Sequence, residues 1–142
     1  MRAAVHRAGG LAGIHVCANT DWGLLLGSNI DILSFDAYGF FDRLAPLTGE
    51  LDAFLTRGGI IAWGGVPTGR AEDIAAESVD TLCARWEEQM ELLAATGRSK
   101  AELLRQILIT PSCGTGSLSQ DMAYRVLTLT RDVSRALRQK YF

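Results

Sequence analysis

GIHVC, residues 13–17, is a short apolar run that begins at a glycine and leads into polar residues. Three further runs of this kind, each bounded by Gly, Asn, Pro or Ser, follow it along the chain: IDILSFD (30–36), GIIAWGG (59–65) and ILITPSC (107–113). Runs of this length that are rich in Ile, Val and Phe are typical of strands buried on both faces of a sheet. The sequence therefore predicts four strands.

Segments with helical spacing alternate with these runs. The pattern predicts helices over 41–58, 71–97, 99–106 and 119–142. Pro46 suits the first turn of the first of them, and Gly58 is its predicted stop. Ser99 and Glu102 have the spacing of a capping box, which predicts that a helix begins there.

The order of strand and helix, repeated four times, predicts a parallel sheet with helical crossovers, so the fold class is α/β. Because no linker or change in composition interrupts residues 1–142, we expect a single domain. Four βα units make either half of an eight-stranded TIM barrel or a small doubly wound sheet. In both architectures the functional residues lie beyond the carboxyl ends of the strands.

Composition narrows the class of protein. Hydrophobic residues make up 48% of the chain and charged residues 21%, which is enough for a core. The net charge of -2 and the scattered Arg and Lys argue against nucleic acid as a partner. Three cysteines without a signal peptide predict free thiols in the cytoplasm, and no run is long enough to cross a membrane.

Potential metal ligands end three of the four predicted strands. His15 and Cys17, two residues apart, point to one face of the first strand, Asp36 ends the second, and Cys113 ends the fourth. Imidazole, thiolate and carboxylate form a donor set that suits zinc. Cys83, by contrast, falls on the apolar stripe of a helix and is assigned to packing.

Three further polar residues lie near the first strand. Asn19 and Asp21 follow it and are candidates for substrate binding, although Asp21 fits the N-cap of a helix equally well. His6 precedes the strand and is expected to be solvated.

These residues resemble a known family. The resemblance covers residues 13–138 and is carried by IHVCANT (14–20), DILSFD (31–36), GGVPT (64–68), TPSCGTGSL (110–118) and SRALR (134–138). The chain is similar to the C-terminal half of the catalytic barrel of cobalamin-independent methionine synthases. It is also similar to the related methylcobalamin:coenzyme M methyltransferases, which share the uroporphyrinogen decarboxylase-like barrel.

The resemblance implies a zinc-dependent methyl transfer from a corrinoid or a folate to a thiol such as homocysteine or coenzyme M. It implies zinc ligands at His15, Cys17, Asp36 and Cys113. Asp36 stands where methionine synthases have Glu and is one methylene shorter. It is therefore expected to coordinate after a local shift, to act through water, or to leave the His-Cys-Cys site that the resemblance implies for the coenzyme M branch.

Two departures from the family bear on function. Trp63, Gly64 and Gly65 stand where methionine synthases carry an Asp-x-His stretch implicated in proton transfer to folate, which argues against folate-dependent methionine synthesis itself. The front half of the barrel is also missing, so another copy, a partner chain or an N-terminal half is expected to complete it. The alternative is a non-catalytic α/β module with a structural zinc or no metal.

Overall fold

The computed structural model describes residues 2–142 and contains a four-stranded, all-parallel sheet. The strands are β1 (Gly13–Val16), β2 (Ile32–Phe35), β3 (Ile60–Val66) and β4 (Ile107–Pro111). All four predicted strands are therefore confirmed, with bounds that move by no more than two residues. The predicted α/β class with a parallel sheet is confirmed as well.

The strands are arranged in their sequence order, β1-β2-β3-β4. In a doubly wound sheet the strand order reverses at one point, and this sheet has no such reversal. Right-handed crossovers that all step in one direction place their helices on the same face of a sheet. Within residues 2–142, β1 and β4 are the two edges, and each has one side without a strand partner.

The register divides the side chains of the sheet between two faces. Leu33, Ile61 and Ile107 form one row across the strands, and all three are buried in the core with the helices. The next residue on each strand points the opposite way. That second face, which we term the open face, carries a row that runs from β1 to β4: His15, Ser34, Ala62 and Leu108.

Eight α-helices accompany the sheet in residues 2–142. They are α1 (Arg2–Arg7), α2 (Trp22–Gly27), α3 (Ala37–Leu44), α4 (Thr48–Thr56), α5 (Ala71–Ala76), α6 (Val79–Glu91), α7 (Lys100–Arg105) and α8 (Gln120–Tyr141). The predicted helices over 99–106 and 119–142 are confirmed as α7 and α8. Ser99 and Glu102 form the predicted capping box of α7. None of these helices has the length and apolar character needed to cross a bilayer.

The single helix predicted over 41–58 is wrong, because two helices occupy this part of the chain. The first, α3, already begins at Ala37 and ends at Leu44, and α4 begins at Thr48. Pro46 lies between them, since proline has no backbone N–H with which to continue the hydrogen bonds of α3. Gly58, with a φ of 91°, follows the end of α4 and is the stop that the sequence predicts.

The single helix predicted over 71–97 is also divided, into α5, α6 and a short 3-10 helix at Ala94–Thr96. The break lies at Glu77 and Ser78. Ser78 caps α6 in a capping box with Thr81. The Glu77 carboxylate is buried and accepts hydrogen bonds from Thr81 and Tyr38. Two polar residues with specific partners therefore end one helix and begin the next, within an otherwise continuous apolar stripe.

His6 is not the solvated residue that the sequence predicts. It lies on α1, is half-buried, and its Nε2 is 2.7 Å from Oδ2 of Asp31. The same carboxylate oxygen accepts a hydrogen bond from the backbone N–H of Ala12 at 2.6 Å. These contacts fasten α1 to the amino end of the sheet, opposite the end where the candidate site lies.

Candidate metal centre

Three potential metal ligands meet at the carboxyl end of the sheet. His15, Cys17 and Cys113 each offer one ligand atom, and these atoms all lie within 4.8 Å of one another. His15 and Cys17 are exposed, whereas Cys113 is half-buried. The structure therefore brings together three of the four ligands that the sequence predicts, in a group open to solvent on one side. We term this set the His-Cys-Cys group.

The group joins the two edges of the sheet. Neighbouring strands lie about 4.8 Å apart, so a flat four-stranded sheet would hold its outer strands about 14 Å apart. Cys17 directly follows β1 and Cys113 comes two residues after the end of β4, yet their ligand atoms are within 4.8 Å. The segment after β4 must therefore turn over the open face toward β1.

The segment that carries Cys113 is anchored to the end of β3. The backbone N–H of Ser112 donates to the carbonyl of Val66 at 2.8 Å. The Ser112 hydroxyl oxygen accepts a hydrogen bond from the backbone N–H of Thr68 and lies 2.9 Å from the Thr68 hydroxyl. Both side chains are buried. Cys113 therefore leaves a fixed point of the backbone, although its own segment has no regular structure.

His15 is held from both ring nitrogens. Its Nε2 is 2.9 Å from Sγ of Cys17, and its Nδ1 is 2.8 Å from Oγ of Ser34. Ser34 is the residue that reasoning from the sequence missed. A signal was present, because Ser34 is two residues before Asp36 and so shares its face, but only the strand register pairs it with His15.

The surroundings of Cys113 strongly raise the pKa of its thiol. Burial, a hydrogen bond with Cys17 and the negative charge of Asp36 together raise the pKa of Cys113 to about 12. The thiol is therefore protonated at neutral pH unless a cation compensates for the thiolate charge. A metal ion that bound here would have to displace this proton.

Asp36, the fourth predicted ligand, does not belong to the His-Cys-Cys group. It is the N-cap of α3, and its Oδ1 accepts a hydrogen bond from the backbone N–H of Gly39 at 2.9 Å. Its charge still acts on Cys113, as the raised pKa of that thiol indicates. Metal coordination by Asp36 stays a prediction, while the three-ligand alternative has a group to support it.

The predicted substrate-binding residues lie in and beside the loop after β1, and both are exposed. The side-chain oxygen of Asn19 accepts a hydrogen bond from the indole N–H of Trp22 at 3.1 Å. Asp21 is the N-cap of α2 and accepts from the backbone N–H of Leu24. Both side chains therefore have a local partner, and their role toward a substrate stays a prediction.

The end of β3 contributes no ligand, and its residues are buried. The indole N–H of Trp63 donates to the side-chain oxygen of Gln89 at 2.6 Å, away from the open face. A Cβ placed on Gly64 would lie 2.2 Å from the carbonyl oxygen of Phe35. A Cβ placed on Gly65, which stands at the histidine position of the Asp-x-His stretch, would lie 2.0 Å from the Trp63 ring, so neither glycine has room for a proton-transfer side chain. Cys83 is half-buried against the core, as the sequence predicts, and lies outside the group.

Comparison with known proteins finds no relative that could assign a role to the His-Cys-Cys group. No family model matches the chain, and neither a curated protein nor a solved structure matches it. The class that the fold defines is an α/β protein with a four-stranded parallel sheet in sequential order. Its distinctive feature is the His-Cys-Cys group above the open face.

Proposed function

We propose that this chain is the zinc-binding half of a zinc-dependent methyltransferase that transfers a methyl group from a corrinoid or folate donor to a thiol. The observation that carries the proposal is the His-Cys-Cys group: two thiols and one imidazole from opposite edges of the sheet within 4.8 Å. Its place also supports the proposal, since active sites of parallel βα folds lie at the carboxyl ends of the strands.

The residues present fit zinc. Thiolate and imidazole are preferred ligands of this ion, which binds them at about 2.0 to 2.3 Å in tetrahedral geometry and so separates them by roughly 3.3 to 3.8 Å. The three ligand atoms already lie within 4.8 Å of one another. Side-chain movements of about 1 Å would therefore suffice.

The number of ligands favours catalysis over a structural role. Structural zinc sites usually close with four protein ligands, whereas catalytic sites keep one position open. Here three ligands are grouped, and Asp36 is engaged as the cap of α3. His15 and Cys17 are exposed, so a small thiol has access to the open position.

Bound zinc would lower the pKa of a substrate thiol and present it as a nucleophilic thiolate. The chain's own residues would orient and tune this chemistry. Cys17 and Cys113 supply two negative charges when deprotonated, which keep the bound substrate sulfur electron-rich. Asp36 adds a third charge nearby without occupying the open position.

The sheet favours a barrel that is completed from outside residues 2–142. The strand order does not reverse, the segment after β4 turns over the open face, and β1 and β4 each have a free side. Apolar side chains are exposed at both edges: Leu11, Ile14 and Leu24 near β1, and Leu108, Tyr124 and Leu127 on β4 and α8. Exposed apolar groups beside unpaired strands favour association with further βα units.

Another copy of the chain, a partner chain or an N-terminal half would supply four more strands and, with them, most of the donor site. Sedimentation of the purified chain tests completion by a second copy. A dimer in solution supports completion by a second copy. A strictly monomeric chain contradicts that form of completion and leaves the other two.

The donor is better matched by a corrinoid than by a folate. In the folate-dependent enzymes of the resembled family, proton transfer is assigned to a histidine near the end of the strand equivalent to β3. Here the position of that histidine is Gly65, where an added Cβ would lie 2.0 Å from the ring of Trp63, a core residue. We therefore expect a corrinoid protein as the partner that brings the methyl group.

Metal analysis tests the proposal. We expect about one equivalent of zinc in protein purified under reducing conditions without chelator. His15→Ala and Cys113→Ser should lose this zinc, whereas Cys83→Ser, which removes a half-buried thiol outside the group, should retain it. Zinc below about a tenth of an equivalent, unchanged by His15→Ala, would show that the chain has no such centre.

X-ray absorption at the zinc edge then separates a catalytic site from a structural one. Spectra are compared with and without homocysteine or coenzyme M. An added sulfur ligand in the presence of the thiol is expected for an open site. A closed site, as in the alternative of a structural zinc, would show the same ligands in both spectra.

A further inference from the structure

We propose that Ser34 is a positioning residue that fixes His15 with Nε2 directed at the metal. This inference rests on the proposed function. It adds a residue that is absent from the predicted ligand set and that the sequence pattern did not identify. Its basis is one side chain, His15, that has a different partner at each ring nitrogen: Cys17 at Nε2 and Ser34 at Nδ1.

The contact follows from the strand register. His15 on β1 and Ser34 on β2 are paired directly, so their side chains leave neighbouring strands on the same face. Ser34 also has β3 on its other side, where Ala62 is its partner. Its Oγ is therefore attached to a strand that is paired on both edges, while His15 lies on an edge strand. The residue on the interior strand therefore orients the residue on the edge strand.

The chemistry of the imidazole determines which ring nitrogen donates a hydrogen bond and which one can bind a metal. A neutral imidazole has one N–H donor and one lone pair, and the nitrogen that binds a metal must be the one with the lone pair. When Nδ1–H donates to the Ser34 hydroxyl oxygen, the lone pair is on Nε2, beside the sulfur of Cys17. Outer partners of this kind hold the ring of a ligating histidine in one tautomer and one orientation.

Among the described residues, only His15 contacts the Ser34 hydroxyl through a hydrogen bond. Its hydrogen bond with His15 is the only one that its side chain makes in residues 2–142. It lies on the open face, outside the core that packs against the helices. A hydroxyl in the middle of an apolar strand, with the ligand histidine as its single partner, is therefore placed to act on the metal centre.

The test compares zinc affinity in Ser34→Ala and wild-type protein by competition with a chromogenic chelator at constant pH. We expect Ser34→Ala to keep the same zinc stoichiometry with an affinity reduced by about 10- to 100-fold. Ser34→Thr, which keeps a hydroxyl on a strand that favours β-branched residues, should restore most of it. Thr110→Val is the matched control, because it removes from β4 a buried hydroxyl that has no partner.

Nitrogen-15 NMR of the zinc-loaded wild type gives a readout that does not depend on any variant. We expect the proton of His15 on Nδ1 and the metal on Nε2. Metal on Nδ1, or an affinity of Ser34→Ala within about twofold of wild type, would overturn this inference alone. Failure of the wild type to bind zinc would overturn the proposed function and this inference together.

Discussion

Gly64→Ala is the substitution that most directly couples the fold to the candidate metal centre. The added Cβ would lie 2.2 Å from the carbonyl oxygen of Phe35 and 3.0 Å from Cα of Ser112. Carbon and oxygen normally approach to about 3.3 Å, so the first contact is roughly 1 Å too short. Both contacts are with backbone, so the strands themselves have to separate.

The loss of unfolding free energy caused by Gly64→Ala can be estimated from other overpacked sites. Overpacking a well-packed site destabilises a protein by about 1 to 3 kcal/mol. Because no side-chain rotation relieves this clash, we expect a loss of about 3 kcal/mol, at the upper end of that range. The displaced atoms directly precede Asp36 and Cys113 in the chain, so zinc binding should weaken as well.

Urea denaturation followed by far-UV circular dichroism measures the first effect, and chelator competition measures the second. Gly49→Ala is the matched control. Gly49 is a residue of α4 with no heavy atom within 4 Å of its added Cβ, so this substitution should stabilise the chain by about 0.4 to 1 kcal/mol. Equal unfolding free energies for the two variants would refute the close approach of β2 and β3 at Gly64.

Two further predictions concern the elements that support the sheet. Hydrogen bonds from the backbone of Ala12 and from His6 hold the pKa of Asp31 below its usual value of 3.8. Its stabilising contribution is therefore complete above about pH 4 and lost as the pH falls further. Melting temperatures should show Asp31→Asn less stable than wild type at neutral pH, with a difference that narrows near pH 3. A difference independent of pH would contradict this account. Ser99→Ala should lower the unfolding free energy of the chain by about 1 kcal/mol through loss of the α7 cap shared with Glu102, as urea titration would show.

The four strands could be predicted because each is a short apolar run with clear ends. Their pairing could not, since the order β1-β2-β3-β4 is decided by contacts between residues distant in the chain. For the helices predicted over 41–58 and 71–97, the periodicity predicts the helical regions correctly but not where the helices end. A stripe of apolar residues is continuous through Pro46 and through Ser78, yet a helix ends before each of them. Local backbone chemistry overrides periodicity at both points.

The part of the candidate site that could be predicted depends on the alternation of side chains between the two faces of a strand. His15 and Cys17 share a face because they are two residues apart on a strand, and parallel strands bring their carboxyl ends to one edge, near Cys113. Ser34 depends on register, which the sequence does not reveal. The hydroxyl that orients the histidine is therefore visible only once β1 and β2 are paired.

Asp36 shows why a ligand set is harder to predict than a ligand position. Both Asp21 and Asp36 lie between a strand and the helix that follows, and each accepts a hydrogen bond from a backbone N–H three residues on. A carboxylate between a strand and a helix can either cap the helix or bind a metal. Its position in the sequence does not distinguish these two roles. At Asp36 the cap fixes the carboxylate at the start of α3, where its charge still reaches Cys113. In the proposed zinc centre, the negative potential of a fourth ligand would thus be retained while one coordination position stayed free for an incoming thiol.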